Sequence, residues 1–303
     1  MNNELDYIIS FCDEFGYPAE AKAAIISAYK LLSQNSCACE SFQKYVLMYN
    51  GDRLNDFSAV FDDLDAAADL CKVHKYTLHL LLFICLSKHT RELYERKGIS
   101  YEIFHDSMSD LKWKLTECYN MYGIWGSFVS RWFPGFFILT RFGLGRLQFE
   151  IVNFKENYKK GNYTLKENDT AINIHIPACG PLLHDECIAS YHKAADFFKD
   201  YFAGRPVAFV CTSWLLFPYH KEFFPKSSNI LKFMEDFDIY SYKIDNEGAD
   251  LWRIFYKDYR NDPADLPNKT SIQRAYADWL MKGNPVGYGK GVFFIDGGKI
   301  VHN

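Results

Sequence analysis

Two titratable residues on alternating stretches are the best candidates for acid–base chemistry in this sequence. Arg146, Gln148 and Glu150 alternate with apolar residues in RLQFE, and His175 has the same period in AINIHI. A carboxylate or an imidazole on the polar face of a strand is suited to act as a general base. The alternatives are a solvated or ion-paired strand face around Glu150, and a histidine whose hydrogen bonds are satisfied within a sheet.

A second possible chemistry is covalent catalysis by Cys211 or Ser213, which share one face of an apolar stretch. No Gly-x-Ser-x-Gly motif surrounds Ser213, and the sequence places no partner base beside either residue. A buried thiol is therefore the favoured interpretation of Cys211. Ser213 and Trp214 are expected instead to line a pocket for the acyl group or its acceptor.

Two further motifs lack the spacing of known binding sites. His175, Cys179, His184 and Cys187 are separated by three, four and two residues, which matches no common zinc site. Cys187 also falls on the apolar stripe of a predicted helix, so we predict no metal site. The stretch 287–291, GYGKG, lacks both the spacing of a phosphate-binding loop and a following helix, and is predicted to be a mobile turn.

The stretch 171–217 contains the element best suited to bind a ligand. It starts with three isoleucines that alternate with polar residues, which predicts a half-buried strand. A loop containing Gly180 follows, then an amphipathic helix, and then the apolar stretch 207–217, which predicts an interior strand. Free backbone N–H groups converge where a strand leads through a tight loop into a helix. The loop is therefore a candidate site for an anionic group, and the alternative is an ordinary strand-to-helix turn.

Composition and charge favour a reduced, cytoplasmic protein. The chain has 303 residues, 49% of them hydrophobic, and a net charge of −4, which gives no general attraction to nucleic acid or acidic membranes. Nine cysteines without a C-x-x-C pair fit a reducing compartment better than a disulfide framework. The N-terminus lacks the pattern of a signal peptide, and the longest apolar run, 80–86, is too short to span a membrane. We therefore expect no nucleic-acid or membrane partner.

The first part of the chain is predicted to be entirely helical. Apolar residues recur at helical spacing in successive segments up to Gly123, and no segment there shows sustained alternation. The pattern changes at 132–135, WFPG. The expected domains are 1–125 and 126–303.

The second part is predicted to form an α+β domain with a largely antiparallel sheet flanked by helices. The strand ending near Phe154 is expected to pair as a hairpin with the strand at Ile172, across a polar turn at 157–169. Many strands joined mostly by hairpins, with a few helices, are typical of this class. Further strands are expected within 136–154, 239–244, 251–256, 292–295 and 300–301, and helices after Ser228 and Thr270.

Five short strings together resemble a bacterial family of acyltransferase-domain proteins. The strings are GRLQFE (145–150), HIPACGPL (175–182), SWLL (213–216), SSNI (227–230) and TSIQRA (270–275). The resemblance covers most of the chain, more clearly in its second half. Members of this family have a helical N-acyltransferase N-terminal domain followed by a GNAT-like C-terminal domain, so the same fold and acyl transfer are implied here.

The resemblance implies that acyl-coenzyme A lies along the strand and the loop that follow Asn173. Its pantetheine amides would bond to strand backbone, and its pyrophosphate would meet N–H groups of the loop. The residues implied in this site are Ile174, Ile176, Ala178, Cys179, Gly180, Leu182 and Leu183. The implied substrate pocket contains Arg146, Gln148, Ser213 and Trp214.

Direct transfer to a small-molecule or peptide amine requires a base, and an acid for the leaving thiolate. Glu150 and His175 are the implied bases, and Tyr219 is the implied acid. The loop IPACGPL departs from the usual GNAT signature of Arg or Gln followed by G-x-G or G-x-A, and Asp185 and Glu186 would repel a phosphate. The alternative is therefore a non-catalytic binding protein that has kept the fold.

Overall fold

The structure, a computed structural model, describes residues 2–259 and 262–301 and divides the chain into two compact units. The first unit comprises Met1–Gly143 and the second comprises Leu144–Asn303. The domain boundary expected at residue 125 lies earlier than this division. The reason is that the segment after residue 125 packs within the helical unit, where Tyr49 donates a 2.8 Å hydrogen bond to the Phe137 carbonyl.

The first unit is helical, as predicted. The run 80–86 in α5 is buried along its whole length and supplies much of the core of this unit. Among the described residues, no single helix has the length and apolar composition needed to cross a membrane. The helices are α1 (Asn2–Glu14), α2 (Ala19–Gln34), α3 (Ser36–Asn50), α4 (Val60–Cys71), α5 (Lys75–Arg96), α6 (Tyr101–Tyr122) and α7 (Pro134–Phe137).

Local sequence signals determine where several of these helices begin and end. The Asn35 side chain accepts a hydrogen bond from the Ala38 N–H at the start of α3, and the Ser100 hydroxyl accepts from Ile103 at the start of α6. Helix α6 ends at Gly123, whose positive φ of 69° suits a residue without a side chain. The predicted helical spacing therefore agrees with the capping chemistry.

The second unit is built on a mixed, mostly antiparallel sheet, which confirms the predicted α+β class. The strand order is β1-β2-β5-β6-β8-β7, with β9 beside β8, and β3 and β4 form a separate hairpin. The pairs β2–β5, β6–β8, β7–β8 and β8–β9 are antiparallel, whereas β5–β6 is parallel. The strands are β1 (Arg141–Leu144), β2 (Leu147–Asn153), β3 (Tyr158–Lys160), β4 (Tyr163–Leu165), β5 (Thr170–His175), β6 (Val207–Ser213), β7 (Asp238–Ile244), β8 (Gly287–Asp296) and β9 (Lys299–Val301).

An aromatic layer covers one face of this sheet. Phe209 on β6 stacks on Phe293 of β8 with ring centroids 4.8 Å apart, and Tyr191 of the first helix after β5 packs against both rings. The polar positions of β2 and β5 therefore project from the opposite face. The helices of this unit are α8 (His184–Phe197), α9 (His220–Phe223), α10 (Asn229–Glu235), α11 (Trp252–Phe255) and α12 (Ser271–Met281).

The prediction of a mobile turn at 287–291 was wrong, because these residues form the first half of β8. Their glycines permit close packing with neighbouring backbone. A Cβ on Gly287 would lie 2.1 Å from the Lys243 carbonyl oxygen, and a Cβ on Gly289 would lie 2.1 Å from that of Leu216. The alternating glycines therefore mark a tightly packed strand.

Other predicted strands and turns also differ from the structure. The strand expected at 251–256 was wrong: Leu251, Ile254 and Phe255 are buried at helical spacing around α11. The start of the strand region 136–154 is helical in α7, and the polar turn at 157–169 contains the β3–β4 hairpin. The predicted pairing across that turn, between β2 and β5, was correct.

Candidate functional site

The polar faces of β2 and β5 form one continuous surface. In the antiparallel register, Gln148 lies opposite His175 and Glu150 lies opposite Asn173. Side chains that are opposite or diagonal on one face of such a pair are close enough to interact. The expectation that Glu150 and His175 lie on neighbouring strands is therefore met.

Glu150 and His175 form a hydrogen-bonded pair. The Glu150 Oε1 atom is 2.7 Å from His175 Nε2, and both side chains are about one-fifth exposed, at 20% and 23%. Since a carboxylate only accepts, Nε2 carries the proton and donates it, which leaves the imidazole lone pair on Nδ1. The two residues therefore act as a unit in which Glu150 sets the tautomer of His175.

Asn173 is a third member of this cluster, in addition to the two residues predicted from the sequence. Its Nδ2 lies 3.2 Å from Glu150 Oε1 and 3.1 Å from His175 Nε2. Because Nε2 donates to the carboxylate, the amide donates to Glu150 and only approaches the imidazole nitrogen. The signal for Asn173 was present in the sequence, since it occupies the polar face of β5 two residues before His175.

Gln148 shares this face but is closed to a substrate. Its side chain lies opposite His175 and the residue is only 3% exposed. The side chain of Gln148, predicted to line the substrate pocket, therefore presents little surface in this structure.

Strands β5 and β6 are paired over only part of their length. Ladder pairs join Ile172 to Phe209 and Asn173 to Val210, and the described ladder ends there. Strand β6 continues to Ser213, paired on its other side with β8. Strand β5 from Ile174 onward is therefore not paired with β6 in the described ladder.

Arg146 holds the loop that follows β5. Its guanidinium donates to three backbone carbonyls of the loop, those of Pro177 at 3.0 Å, Gly180 at 3.0 Å and Pro181 at 3.1 Å. Its backbone N–H donates to the Ser190 hydroxyl of α8 at 2.8 Å. The side chain expected to line a substrate pocket is therefore committed to the loop, and it places a positive charge there.

The loop presents its backbone to solvent at the start of α8. Ala178 and Gly180 are exposed, Gly180 has a φ of 104°, and Leu183 is 46% exposed. No side chain caps the N-terminus of α8. The first N–H groups of that helix therefore favour an anion, whereas Asp185 and Glu186 in the first turn disfavour one.

The other residues expected to bind acyl-coenzyme A differ in accessibility. Ile176 and Cys179 are half-buried, whereas Ile174 and Leu182 are buried, at 2% and 8%. Ile174 and Leu182 therefore present almost no surface to solvent in this structure.

An aromatic cluster at the carboxyl end of β6 contains Ser213, Trp214 and Tyr219. The Ser213 hydroxyl accepts from the Leu215 N–H, and Trp214 packs edge-on against Tyr276. Tyr219 stacks on Phe217 and contacts Tyr242 and Trp279. The described contacts of Tyr219 are thus with this aromatic cluster and not with the Glu150–His175 pair.

The thiol on β6 is poorly suited to nucleophilic catalysis. Burial raises the pKa of Cys211 to about 12, so the thiolate is scarce at neutral pH. Within residues 2–259 and 262–301, no group of three or more His, Cys, Asp or Glu side chains has metal-binding geometry. The two histidines of the stretch 175–187 have carboxylate partners: His175 pairs with Glu150 and His184 pairs with Asp236, each at 2.7 Å.

Two family models together match nearly the whole chain. A model described as GNAT-like C-terminal domain matches residues 141–293, and one described as N-acyltransferase N-terminal domain matches residues 6–139. The chain belongs to the GNAT-like C-terminal domain family. The resemblance drawn from the sequence is therefore confirmed, and the two models meet near the division between the two units of this GNAT-like protein.

Solved structures with the same fold are acyltransferases. One, in complex with decanoyl-CoA and teicoplanin, is 18% identical with a TM-score of 0.71, covering 95% of this chain and 87% of its own. Another, with decanoyl-CoA, is 19% identical with a TM-score of 0.72, covering 93% and 86%. A variant acyltransferase with octanoyl-CoA is 19% identical with a TM-score of 0.70, covering 93% and 86%. A search of curated proteins gave no match.

Proposed function

We propose that this protein transfers an acyl group from acyl-coenzyme A to an amine by direct attack. Membership of a family that pairs an N-acyltransferase domain with a GNAT-like domain supports the reaction class. The fold is shared with acyltransferases solved with decanoyl-CoA and octanoyl-CoA. The observation that carries the proposal is the partial pairing of β5 with β6, which leaves a strand edge beside the loop held by Arg146.

In this proposal the strand edge and the loop bind the coenzyme A part of the substrate. Backbone groups of Ile174 and Ile176 form hydrogen bonds with the pantetheine amides, as a further strand would. The N–H groups from Ala178 to Leu183, with the guanidinium of Arg146 behind them, bind the diphosphate. Arg146 thus replaces the basic residue that the loop sequence itself lacks.

His175 is the proposed base. It accepts a proton from the amine at Nδ1 as the amine nitrogen attacks the thioester carbonyl carbon. The Glu150 carboxylate holds the imidazole through Nε2 and stabilises the imidazolium that forms. The carbon–sulfur bond then breaks, and the thiolate leaves and takes up a proton to give free coenzyme A.

Tyr219 is kept as the proposed acid for the thiolate. The Tyr219 hydroxyl is protonated at neutral pH, as an acid requires, and a hydrogen bond with Tyr242 raises its pKa further, which makes it a weaker proton donor. Replacement of Tyr219 by Phe tests this role: if Tyr219 donates the proton, turnover falls about tenfold or more. Unchanged turnover would remove Tyr219 from the mechanism and leave water as the proton donor.

The proposed acceptor is a primary amine on a small molecule or peptide. One structural neighbour was solved with teicoplanin as well as decanoyl-CoA, which supports an acceptor larger than a simple metabolite amine. Screening amines and amine-bearing peptides with acetyl-CoA, by following thiol release, identifies the acceptor class.

Calorimetric titration with acetyl-CoA, followed by the thiol-release assay, tests the proposed function. We expect micromolar binding and turnover with at least one amine. For Glu150→Gln we expect unchanged binding with turnover reduced about tenfold to a hundredfold. Binding without turnover by any amine would favour a non-catalytic binding protein, and no binding of any acyl-CoA would contradict the proposal.

A further inference from the structure

A pocket lies between the β3–β4 hairpin and the start of β5. It is lined by residues of β4, by Thr170 at the first position of β5, and by residues near the start of β6 and the end of β8. Strand β5 runs from Thr170 to His175, a length of about 17 Å at about 3.3 Å per residue. The pocket is therefore at the opposite end of this strand from the Glu150–His175 pair.

The pocket has an apolar floor and an aromatic wall. The floor consists of four buried apolar residues, which are Leu165, Phe202, Ala208 and Phe294. The Tyr163 ring stacks on Phe294 with centroids 5.0 Å apart, and its hydroxyl donates a 3.1 Å hydrogen bond to Asp296, which fixes the ring. The volume is about 240 Å³, and a cavity of about 150 Å³ already holds a benzene molecule. The pocket therefore has room for an aromatic or branched aliphatic side chain.

Arg205 places a positive charge at this pocket. It follows a tight turn in which Ala203 and Gly204 have positive φ angles of 48° and 77°. Its backbone N–H and its Nε both donate to the Phe202 carbonyl, at 3.0 and 3.2 Å, which holds the guanidinium in place. Within residues 2–259 and 262–301, its two Nη groups have no hydrogen-bond or ion-pair partner. They are therefore available to bind a carboxylate through two parallel hydrogen bonds.

Asp169 places a negative charge at the same pocket. It directly precedes β5, and its Oδ2 atom accepts from the Lys166 N–H at 2.7 Å, so Oδ1 remains available. No ion pair joins it to Arg205 or to any other cation in the described part of the chain. A ligand with a single charge would leave one of these two groups without a counterion. Charge complementarity therefore favours a ligand that has both a carboxylate and an ammonium group.

We propose that this pocket binds a free α-amino acid with an apolar side chain. Its carboxylate accepts from the Nη groups of Arg205, its ammonium group donates to Oδ1 of Asp169, and its side chain packs against Tyr163 and the apolar floor. This ligand goes beyond the proposed function, because the pocket is about 17 Å along β5 from His175. The bound amino acid is thus distinct from the amine that His175 deprotonates.

Calorimetry with matched ligands tests the class of ligand. We expect L-phenylalanine and L-leucine to bind. Removal of the ammonium group, in 3-phenylpropanoate, or of the carboxylate, in phenethylamine, should weaken binding at least tenfold relative to L-phenylalanine, because one charged partner is lost. Either analogue binding as tightly as L-phenylalanine, or no binding of either amino acid, would overturn the proposal.

Variants of the two charged residues test the location and orientation of the ligand. Arg205→Gln should weaken L-phenylalanine and 3-phenylpropanoate about tenfold without weakening phenethylamine, because only the partner of the carboxylate is removed. Asp169→Asn keeps an oxygen for the Lys166 N–H, and it should weaken L-phenylalanine and phenethylamine about tenfold without weakening 3-phenylpropanoate. The matched control is Arg253→Gln, which removes an exposed arginine of the same unit outside the pocket.

The outcomes separate this inference from the proposed acyl transfer, because the amino acid titrations do not use coenzyme A. Absence of acetyl-CoA binding by a wild-type protein that binds L-phenylalanine would overturn the proposed function alone. Unchanged affinity for L-phenylalanine in both Arg205→Gln and Asp169→Asn, with normal binding of acetyl-CoA, would overturn the pocket assignment alone. An equal loss of affinity in Arg253→Gln would also overturn the assignment, because the effect would not be specific to the pocket.

Discussion

Two regions of the second unit each build a histidine into a hydrogen-bonded pair, and they differ in what surrounds the pair. His175 is partly exposed, lies on β5 beyond its described ladder with β6, and is bonded to the Glu150 carboxylate. His220 is fully buried among aromatic rings and is bonded to the Tyr276 hydroxyl. A carboxylate stabilises an imidazolium, whereas an apolar enclosure keeps the ring neutral.

This difference explains why one histidine is a candidate base and the other is part of the core. A base must be accessible to substrate and must tolerate the charge that it gains. His175 meets both conditions, whereas the pKa of His220, lowered by burial to about 4, excludes protonation at neutral pH. Residue type alone therefore does not distinguish the two sites; accessibility and the bonded partner do.

Removal of the His175 imidazole should have the largest effect on turnover. We expect His175→Ala to lower turnover of acetyl-CoA by about a hundredfold or more with coenzyme A affinity unchanged, because the base is lost and the binding groups remain. The thiol-release assay and calorimetry measure the two quantities. His192→Ala on α8 is the matched histidine control, and an equal loss of turnover in that variant would contradict a specific role for His175.

Buried His220 should make the free energy of unfolding depend on pH. Since burial lowers the pKa of His220 from about 6.5 in the unfolded chain to about 4, the unfolded state binds more protons between these values. The free energy of unfolding should therefore fall as the pH drops from 6.5 to 4, by up to about 3 kcal/mol.

Urea unfolding at pH 7 and at pH 4.5 measures this change. His220→Gln keeps a hydrogen-bonding side chain next to Tyr276 but does not titrate, so the variant should lose much of the pH dependence. The same pH dependence in the variant and the wild-type protein would assign the effect to other groups.

Substitutions of Arg146 test whether the loop after β5 is preorganised for binding. Arg146→Ala removes three charge-assisted hydrogen bonds to loop carbonyls, and we expect coenzyme A affinity to fall about tenfold to a hundredfold. Arg146→Lys should recover only part of the loss, since an ammonium lacks the planar fork of the guanidinium. Arg253→Ala, which removes an exposed arginine of the same unit, should leave the affinity unchanged, and full affinity in Arg146→Ala would contradict this role.

Substitution of Asn173 should have the smallest effect of the four changes tested here, which are at His175, His220, Arg146 and Asn173. We expect Asn173→Ala to lower turnover about threefold to tenfold, because Glu150 loses one donor and its pairing with His175 becomes less well oriented. Melting temperature serves as the control for folding. If Asn173 acts only through this pair, combining Asn173→Ala with Glu150→Gln should add little to the loss in Glu150→Gln, and additive losses would argue against that coupling.

The sequence predicted the elements of this fold better than their long-range contacts. Alternation around Glu150 and His175 gave the two strands and their pairing, and helical spacing gave the first unit. The partial pairing of β5 with β6 could not be predicted from the sequence, because it depends on how two strands separated by α8 meet in space. The role of Arg146 was missed for the same reason, since its three partners lie more than thirty residues away.

Where the pattern predicted the wrong element, packing decided the outcome. The glycines at 287–291 read as a turn, but their missing side chains make room for neighbouring carbonyls inside β8. Leu251, Ile254 and Phe255 read as a strand because the segment is short, yet their burial follows a helix. The sequence of a short apolar segment does not determine whether it forms a helix or a strand, and tertiary contacts decide between the two.

Hydrogen–deuterium exchange with and without acetyl-CoA tests the central claim most directly. If the substrate binds along the part of β5 beyond its ladder with β6 and along the loop after it, backbone amides from residue 174 to residue 186 become protected when acetyl-CoA is added. Protection confined to other parts of the chain, with this segment exchanging as in the free protein, would contradict the account.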